Sequence, residues 1–235
     1  KACDVRGVYP DEFNEDIARA IGRAIGSELH AGHCVLGGDL RPSTVALKAA
    51  VREGLLSAGA NVVDLGLLPT PTVHWARRVL SGDGAVIVTA SHNPAEYNGV
   101  KFSLGRRPAG PEELARVQRR VCEEDFASGS GSASERDVRA EYLDWLGERF
   151  AGAADGLRVL VDAGNGCASE WAPEAMRRAE SEVRTLFCEP DGTFPNRSPN
   201  PSRPQALRES ARAVAAAQVD MAVAFDGDAD RAVFV

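Results

Sequence analysis

Gly84-Ala85-Val86-Ile87-Val88 runs directly into Thr89-Ala90-Ser91-His92-Asn93-Pro94-Ala95-Glu96-Tyr97-Asn98-Gly99-Val100-Lys101-Phe102. The first five residues are short, apolar and β-branched, the pattern of a buried strand. Ser91 therefore falls just past a strand's carboxyl end. In open α/β sheets ligands bind there, because side chains project into a crevice and not into the core. Asn93-Pro94 and Asn98-Gly99 are turn dipeptides, so the spacing predicts a tight segment that returns Lys101 toward the serine. Taken alone, Ser91 is more often a helix-capping or solvated serine than a nucleophile. A hydrolase elbow is a poor fit, since no glycines flank the serine as G-x-S-x-G requires.

On the amino-terminal side, Ile17, Ala18, Ile21, Ala24, Ile25 and Leu29 follow helical spacing, with Asn14 or Asp16 as the cap. Cys34 to Asp39 reads as a strand entering a glycine turn. Ser43 or Thr44 is then expected to cap a helix carrying Val45, Leu47, Ala50, Val51, Leu55 and Leu56 and ending near Gly59. Asn61 to Gly66 is the next strand, and Leu68-Pro69-Thr70-Pro71-Thr72 opens another helix. Strands alternating with helices at these intervals predict a parallel α/β sheet.

On the carboxyl side, Glu112 to Phe126 has helical spacing. The small, polar stretch 127–134 reads as a flexible surface loop near a domain boundary, and Val138 to Phe150 as an amphipathic helix leading into a second domain. The expected domains are 1–136 and 137–235. Leu157 to Val161 is a strand ending in Asp162-Ala163-Gly164-Asn165-Gly166, which reads as strand-to-helix packing, since no long dinucleotide fingerprint follows it. Asp220 to Phe225 is a further strand running into Asp226-Gly227-Asp228-Ala229-Asp230-Arg231. Carboxylates at alternate positions after a strand can converge on one side of a loop, where hard oxygen ligands suit a divalent cation such as Mg2+. An EF-hand is excluded, because its sixth position must be glycine and here is Arg231. A haloacid dehalogenase motif is a poor fit, because Asp230 stands where it needs threonine.

The 235 residues suffice for one large or two ordinary domains. A hydrophobic content of 44% with 26% charged residues is that of a soluble globular protein, and no apolar run is long enough to cross a bilayer. The net charge of -7 argues against a nucleic-acid partner, so an anionic ligand must be held by local basic groups and backbone donors. The five cysteines, Cys3, Cys34, Cys122, Cys167 and Cys188, are scattered and odd in number, which fits reduced thiols in the cytoplasm better than a disulfide framework or a zinc site. Cys3 and Cys34 read as core residues.

Together, Thr-Ala-Ser-His-Asn-Pro at 89–94 and Asp-Gly-Asp-Ala-Asp-Arg at 226–231, 135 residues downstream of the serine, resemble the phosphoserine and metal loops of the α-D-phosphohexomutases, the phosphoglucomutase and phosphomannomutase superfamily. Asp4-Val5-Arg6-Gly7, Gly37-Gly38-Asp39-Leu40-Arg41 and Glu189 to Asn196 match further segments of it. The resemblance covers essentially the whole chain as that superfamily's first two domains. It implies two tandem three-layer α/β/α domains with mainly parallel mixed sheets and active-site loops at strand carboxyl ends.

The implied activity is a reversible phosphoryl transfer between C1 and C6 of a hexose phosphate. It passes through phosphorylated Ser91 and a hexose 1,6-bisphosphate, which also acts as activator. Ser91, Asp226, Asp228 and Asp230 are the implied Mg2+ ligands, and Arg231 would stabilise the transferring group. Lys101 is the expected general base or acid, or else a charge partner alone, with His92 orienting the phosphate or sharing proton transfer. Arg6, Arg41 and Asn93 are the expected phosphate contacts. Members of the superfamily have two further domains carrying sugar- and phosphate-recognition loops, so the chain is expected to be part of a longer mutase, with those domains as its missing partners. The alternatives are a non-catalytic module that binds metal or phosphosugar, and a phosphoserine-dependent sugar phosphatase.

Overall fold

The computed structural model describes residues 5–216 and 218–235, so Cys3 and Asp4 lie outside the described residues. The chain divides into two units, Lys1–Ala90 with Glu96–Asp137, and Ser91–Ala95 with Val138–Val235.

The first unit contains β1 (Val5–Val8), α1 (Glu15–Leu29), β2 (His33–Gly38), α2 (Thr44–Ser57), β3 (Asn61–Leu67), α3 (Thr70–Val79), β4 (Gly84–Val88), β5 (Tyr97–Leu104), β6 (Arg107–Pro108), α4 (Pro111–Glu123) and β7 (Ala133–Glu135). The strand order is β1-β5-β4-β2-β3-β7, with β6 on β5. β2 pairs in parallel with β3 and β4, and β3 with β7. β5 runs antiparallel to β4 and to β1, which makes the sheet mixed. Leu36 of β2 lies in one hydrophobic cluster with Ile21 and Ile25 of α1, Val51 of α2 and Val117 of α4. Successive side chains point to opposite faces of a strand. A Cβ on neighbouring Gly37 would accordingly meet Val73 of α3, which covers the other face.

Every residue of β4 is buried, as its unbroken apolar run requires. The segment after Ser91, however, is not one tight loop. Residues 97–104 form a full strand in which Lys101 pairs with Ile87. Its signal is the period-2 alternation of Val100 and Phe102, both buried in the core, with half-buried Lys101 between them. Asn14 caps α1, its side chain accepting from the Ile17 amide at 3.1 Å. Neither Ser43 nor Thr44 caps α2 in that way. Ser43 Oγ accepts from Asn98 Nδ2 at 2.9 Å, and Thr44 Oγ1 donates to Asp39 Oδ1 at 2.7 Å.

The stretch 127–134 is likewise strapped down, contrary to the flexible loop expected from its composition. Amides of Gly129 and Gly131 donate to Ser57 and Leu56 carbonyls, both at 2.9 Å, and Ala133–Glu135 adds to the sheet beside β3. Small residues are needed here for close approach and not for mobility. A Cβ on Gly131 would stand 1.9 Å from the Ala60 carbonyl oxygen, and one on Gly129 2.7 Å from Gly59 Cα.

The second unit contains α5 (Arg139–Arg149), β8 (Arg158–Asp162), α6 (Ala168–Arg178), β9 (Glu182–Leu186), a 3-10 turn (Pro204–Leu207), α7 (Arg208–Ala215), β10 (Met221–Phe225) and β11 (Ala232–Phe234). Its sheet has the order β11-β10-β8-β9, parallel except for β11. Val159, Val161 and Val223 pack with Ala172 and Met176 of α6, whereas Leu160 and Ala222 pack with Ala213 and Val214 of α7. Alternate residues of the same strands thus face different helices, giving three layers. Among the described residues, no helix is long and apolar enough to cross a membrane.

A Gly131→Ala substitution should lift the strap and cost about 1–3 kcal/mol, the usual penalty of overpacking a close contact. Chemical denaturation measures the loss, and hydrogen exchange at the 129–135 amides should rise with it.

Candidate active site at two strand ends

Ser91 is fully buried and holds a left-handed backbone conformation, φ 55°. Such a φ is uncommon outside glycine, asparagine and aspartate, and is found at sites that the surrounding structure over-determines. Its Oγ donates to Asp226 Oδ2 at 2.8 Å and lies 3.4 Å from His92 Nδ1. The contact joins residues far apart in sequence within the second unit. It depends on Gly227, where a Cβ would stand 2.6 Å from the Ser91 carbonyl oxygen.

The turn after β10 folds around the Asp226 carboxylate. Oδ1 accepts from the amides of Asp230 and Arg231, both at 2.9 Å, while the Ala229 amide donates to the Asp226 carbonyl at 3.0 Å. Asp226 and Asp228 are both fully buried. Burial, followed by the charge of Asp228, pushes the Asp226 carboxyl up to about 7; the hydrogen bonds from Ser91 and the Arg231 amide act the other way. Asp230 and Arg231 are exposed.

Among the described residues no group of three or more His, Cys, Asp or Glu side chains is gathered to hold a metal ion. The structure therefore brings Ser91, Asp226 and Asp228 to one place and leaves Asp230 at the surface. What it does gather fits a divalent cation, because two buried hard-oxygen ligands that repel each other are what such an ion relieves.

The other expected residues occupy varied positions. Arg6 lies on β1, opposite Gly99, and its Nη1 donates to the Ala90 carbonyl at 3.0 Å, next to the serine. Lys101, on β5, and Asn93, in the loop, are half-buried. Arg41, expected as a phosphate contact, is held inside the protein with no exposed side-chain surface. Its Nε pairs with Asp39 Oδ2 at 2.9 Å, and its Nη1 donates to the Tyr97 carbonyl at 2.9 Å.

Arg197 was not singled out by the sequence. It is buried, pairs through Nε with Asp162 Oδ1 at 2.8 Å, and donates from Nη2 to the Phe225 carbonyl at 2.8 Å, immediately before Asp226. Asp162 also accepts from Ser210 Oγ at 2.8 Å. The guanidinium lies over Gly164, where a Cβ would meet its Cζ at 2.5 Å. No local pattern announces a pair 35 residues apart, although a strand-terminal aspartate followed by Ala-Gly-Asn-Gly hints at a turn built for close approach.

Removing one partner of a buried ion pair leaves the other charge uncompensated, so Arg197→Ala should lower stability by about 3–5 kcal/mol in chemical denaturation. The raised Asp226 carboxyl binds a proton in the folded chain that the unfolded chain has already lost above its ordinary range near 4. Metal-free stability should therefore fall as pH rises from about 4 to about 7. Asp226→Asn should flatten that component in denaturation measured across the interval.

Residues 1–128 match the model of the phosphoglucomutase/phosphomannomutase alpha/beta/alpha domain I, and residues 140–235 that of domain II. A phosphomannomutase/phosphoglucomutase of Pseudomonas aeruginosa is 39% identical over 234 residues, covering 98% of this chain and 50% of the relative. A phosphomannomutase of Escherichia coli is 40% identical over 244 residues, covering 98% of this chain and 54% of the relative. The crystal structure of a phosphoglucomutase/phosphomannomutase family protein from Burkholderia thailandensis superimposes with a TM-score of 0.94 at 35% identity, over 100% of this chain and 54% of that one. The chain thus spans about half the length of the relatives it matches. With both domain models matched in order and the serine and aspartate loops joined in one hydrogen bond, the chain belongs to the α-D-phosphohexomutase superfamily, of which it represents the first two domains.

Proposed function

We propose that this chain carries the phosphoryl-transfer centre of a phosphomannomutase/phosphoglucomutase, with Ser91 as the residue that gives and receives the phosphate. The observation that carries the reading is the 2.8 Å hydrogen bond from Ser91 Oγ to Asp226, between two loops widely separated in sequence. A serine built only to cap a turn has no need of a buried carboxylate whose proton affinity is raised.

In the proposed reaction, phosphorylated Ser91 transfers its phosphoryl group to the free hydroxyl of a hexose 1- or 6-phosphate. The P–Oγ bond breaks as a P–O bond to the sugar forms. The hydroxyl proton leaves to a base, for which Lys101 and His92 are the candidates, and Oγ is reprotonated. The resulting hexose 1,6-bisphosphate turns over and returns its other phosphate to Ser91, which moves the phosphate between C1 and C6. The same bisphosphate serves as activator by loading the serine.

A phosphoserine carries roughly -1.5 to -2 charges near neutral pH. A divalent cation such as Mg2+, held by Asp226, Asp228, Asp230 and that phosphate, would neutralise charge on the phosphoryl oxygens. Arg231 supplies a further positive charge beside the loop, and Arg6 and Asn93 are the candidate phosphate contacts.

The test is phosphopeptide mapping of the purified chain before and after incubation with glucose 1,6-bisphosphate and Mg2+, with Ser91→Ala as control. A phosphate on Ser91 that glucose 1-phosphate removes supports the mutase reading. A phosphate lost to water at the same rate without sugar makes the protein a phosphatase. No phosphate on Ser91 at saturating bisphosphate, in the full-length protein as well as in this chain, overturns the reading in favour of a binding module.

A further inference from the structure

We infer that Asp39 is a positioning residue for the serine loop, acting through Thr89 at its start and Arg41 at its end; the catalytic consequence rests on the role of Ser91 proposed above. Asp39 follows the last residue of β2 and is fully buried. All of its carboxylate capacity is taken. Oδ1 accepts from the Arg41 amide at 3.1 Å and from Thr44 Oγ1 at 2.7 Å, and Oδ2 accepts from Arg41 Nε at 2.9 Å and from Thr89 Oγ1 at 2.7 Å. Thr89 stands two residues before Ser91. Arg41, itself without exposed side-chain surface, reaches the Tyr97 carbonyl six residues beyond Ser91. Asn98 completes the clamp by donating to Ser43 Oγ and Thr44 Oγ1, both at 2.9 Å.

Both ends of the segment carrying the serine are therefore tied to one carboxylate. The short turn between them has its conformation set by where those ends are held. This assigns Arg41 to holding the loop and not to binding a phosphate. A left-handed serine backbone is disfavoured when left to itself, so the constraint must come from its surroundings. Transfer to a sugar hydroxyl needs reacting atoms near contact distance, and a misplacement of about 1 Å can cost on the order of 100-fold in rate.

Breaking the Asp39–Arg41 pair directly risks unfolding the first unit. Thr89 offers a milder change. Thr89→Val keeps the volume and loses the hydroxyl, whereas Thr89→Ser keeps the hydroxyl and loses the methyl group. Two readouts are used on the full 235-residue chain: the rate of Ser91 phosphorylation by glucose 1,6-bisphosphate with Mg2+, and hydrogen exchange at the 90–98 amides.

Thr89→Val is expected to slow phosphorylation by about 10- to 100-fold and to speed exchange across the loop. Thr89→Ser is expected to stay close to the parent chain on both. Packing alone would reverse that order, since serine leaves the larger void, and such a result overturns the inference. So does a Thr89→Val chain with parent exchange rates. If the parent chain takes no phosphate on Ser91, the exchange rates of the two variants still decide whether Asp39 holds the loop, separately from the proposed function.

Discussion

A carboxylate with no exposed surface can stay charged only if its oxygens are saturated with donors or paired with a cation, and Asp39 has both. The requirement is local, but its partners are not. They come from the turn after β2, the start of α2 and the residue following β4, so satisfying one charge fixes three segments against each other. The serine can keep a disfavoured backbone conformation because the first-unit frame at either end of its segment has no slack.

The second unit uses the same device with different residues. Asp162 ends β8 as Asp39 follows β2, is equally buried, and is neutralised by a buried arginine. In each unit the arginine also donates to a carbonyl that borders the serine or the aspartate loop, Tyr97 in one and Phe225 in the other. Parallel strands expose their last residues at one edge of the sheet, where loops must turn sharply and carbonyls lose their ladder partners. A buried aspartate–arginine pair supplies rigidity and donors together at that edge.

Much of this was legible from residue order. The unbroken apolar run at 84–88 identified a buried strand, and the Ser- and Asp-containing loops identified the family. Asn14 was readable as a cap because its partner amide lies three residues away. What escaped depended on distant partners. Ser43 and Thr44 look like caps, but Asn98 and Asp39 claim their hydroxyls. The glycines of 127–134 resemble a flexible linker, because composition does not reveal that a neighbouring backbone passes too near for any side chain. Arg41 is buried against Asp39 and the Tyr97 carbonyl, and that pairing has no signal in the residues beside it. The strand at 97–104 was visible in its alternation, yet was masked by turn dipeptides beside it.

The aspartate loop also joins a group whose charge responds to acidity to a fixed anchor. It begins at Asp226, whose carboxyl is pushed up to about 7 by burial and the charge of Asp228, directly after the Phe225 carbonyl that Arg197 holds at 2.8 Å. The charge on that carboxylate can thus vary with the medium while the backbone it departs from stays tied to a buried guanidinium.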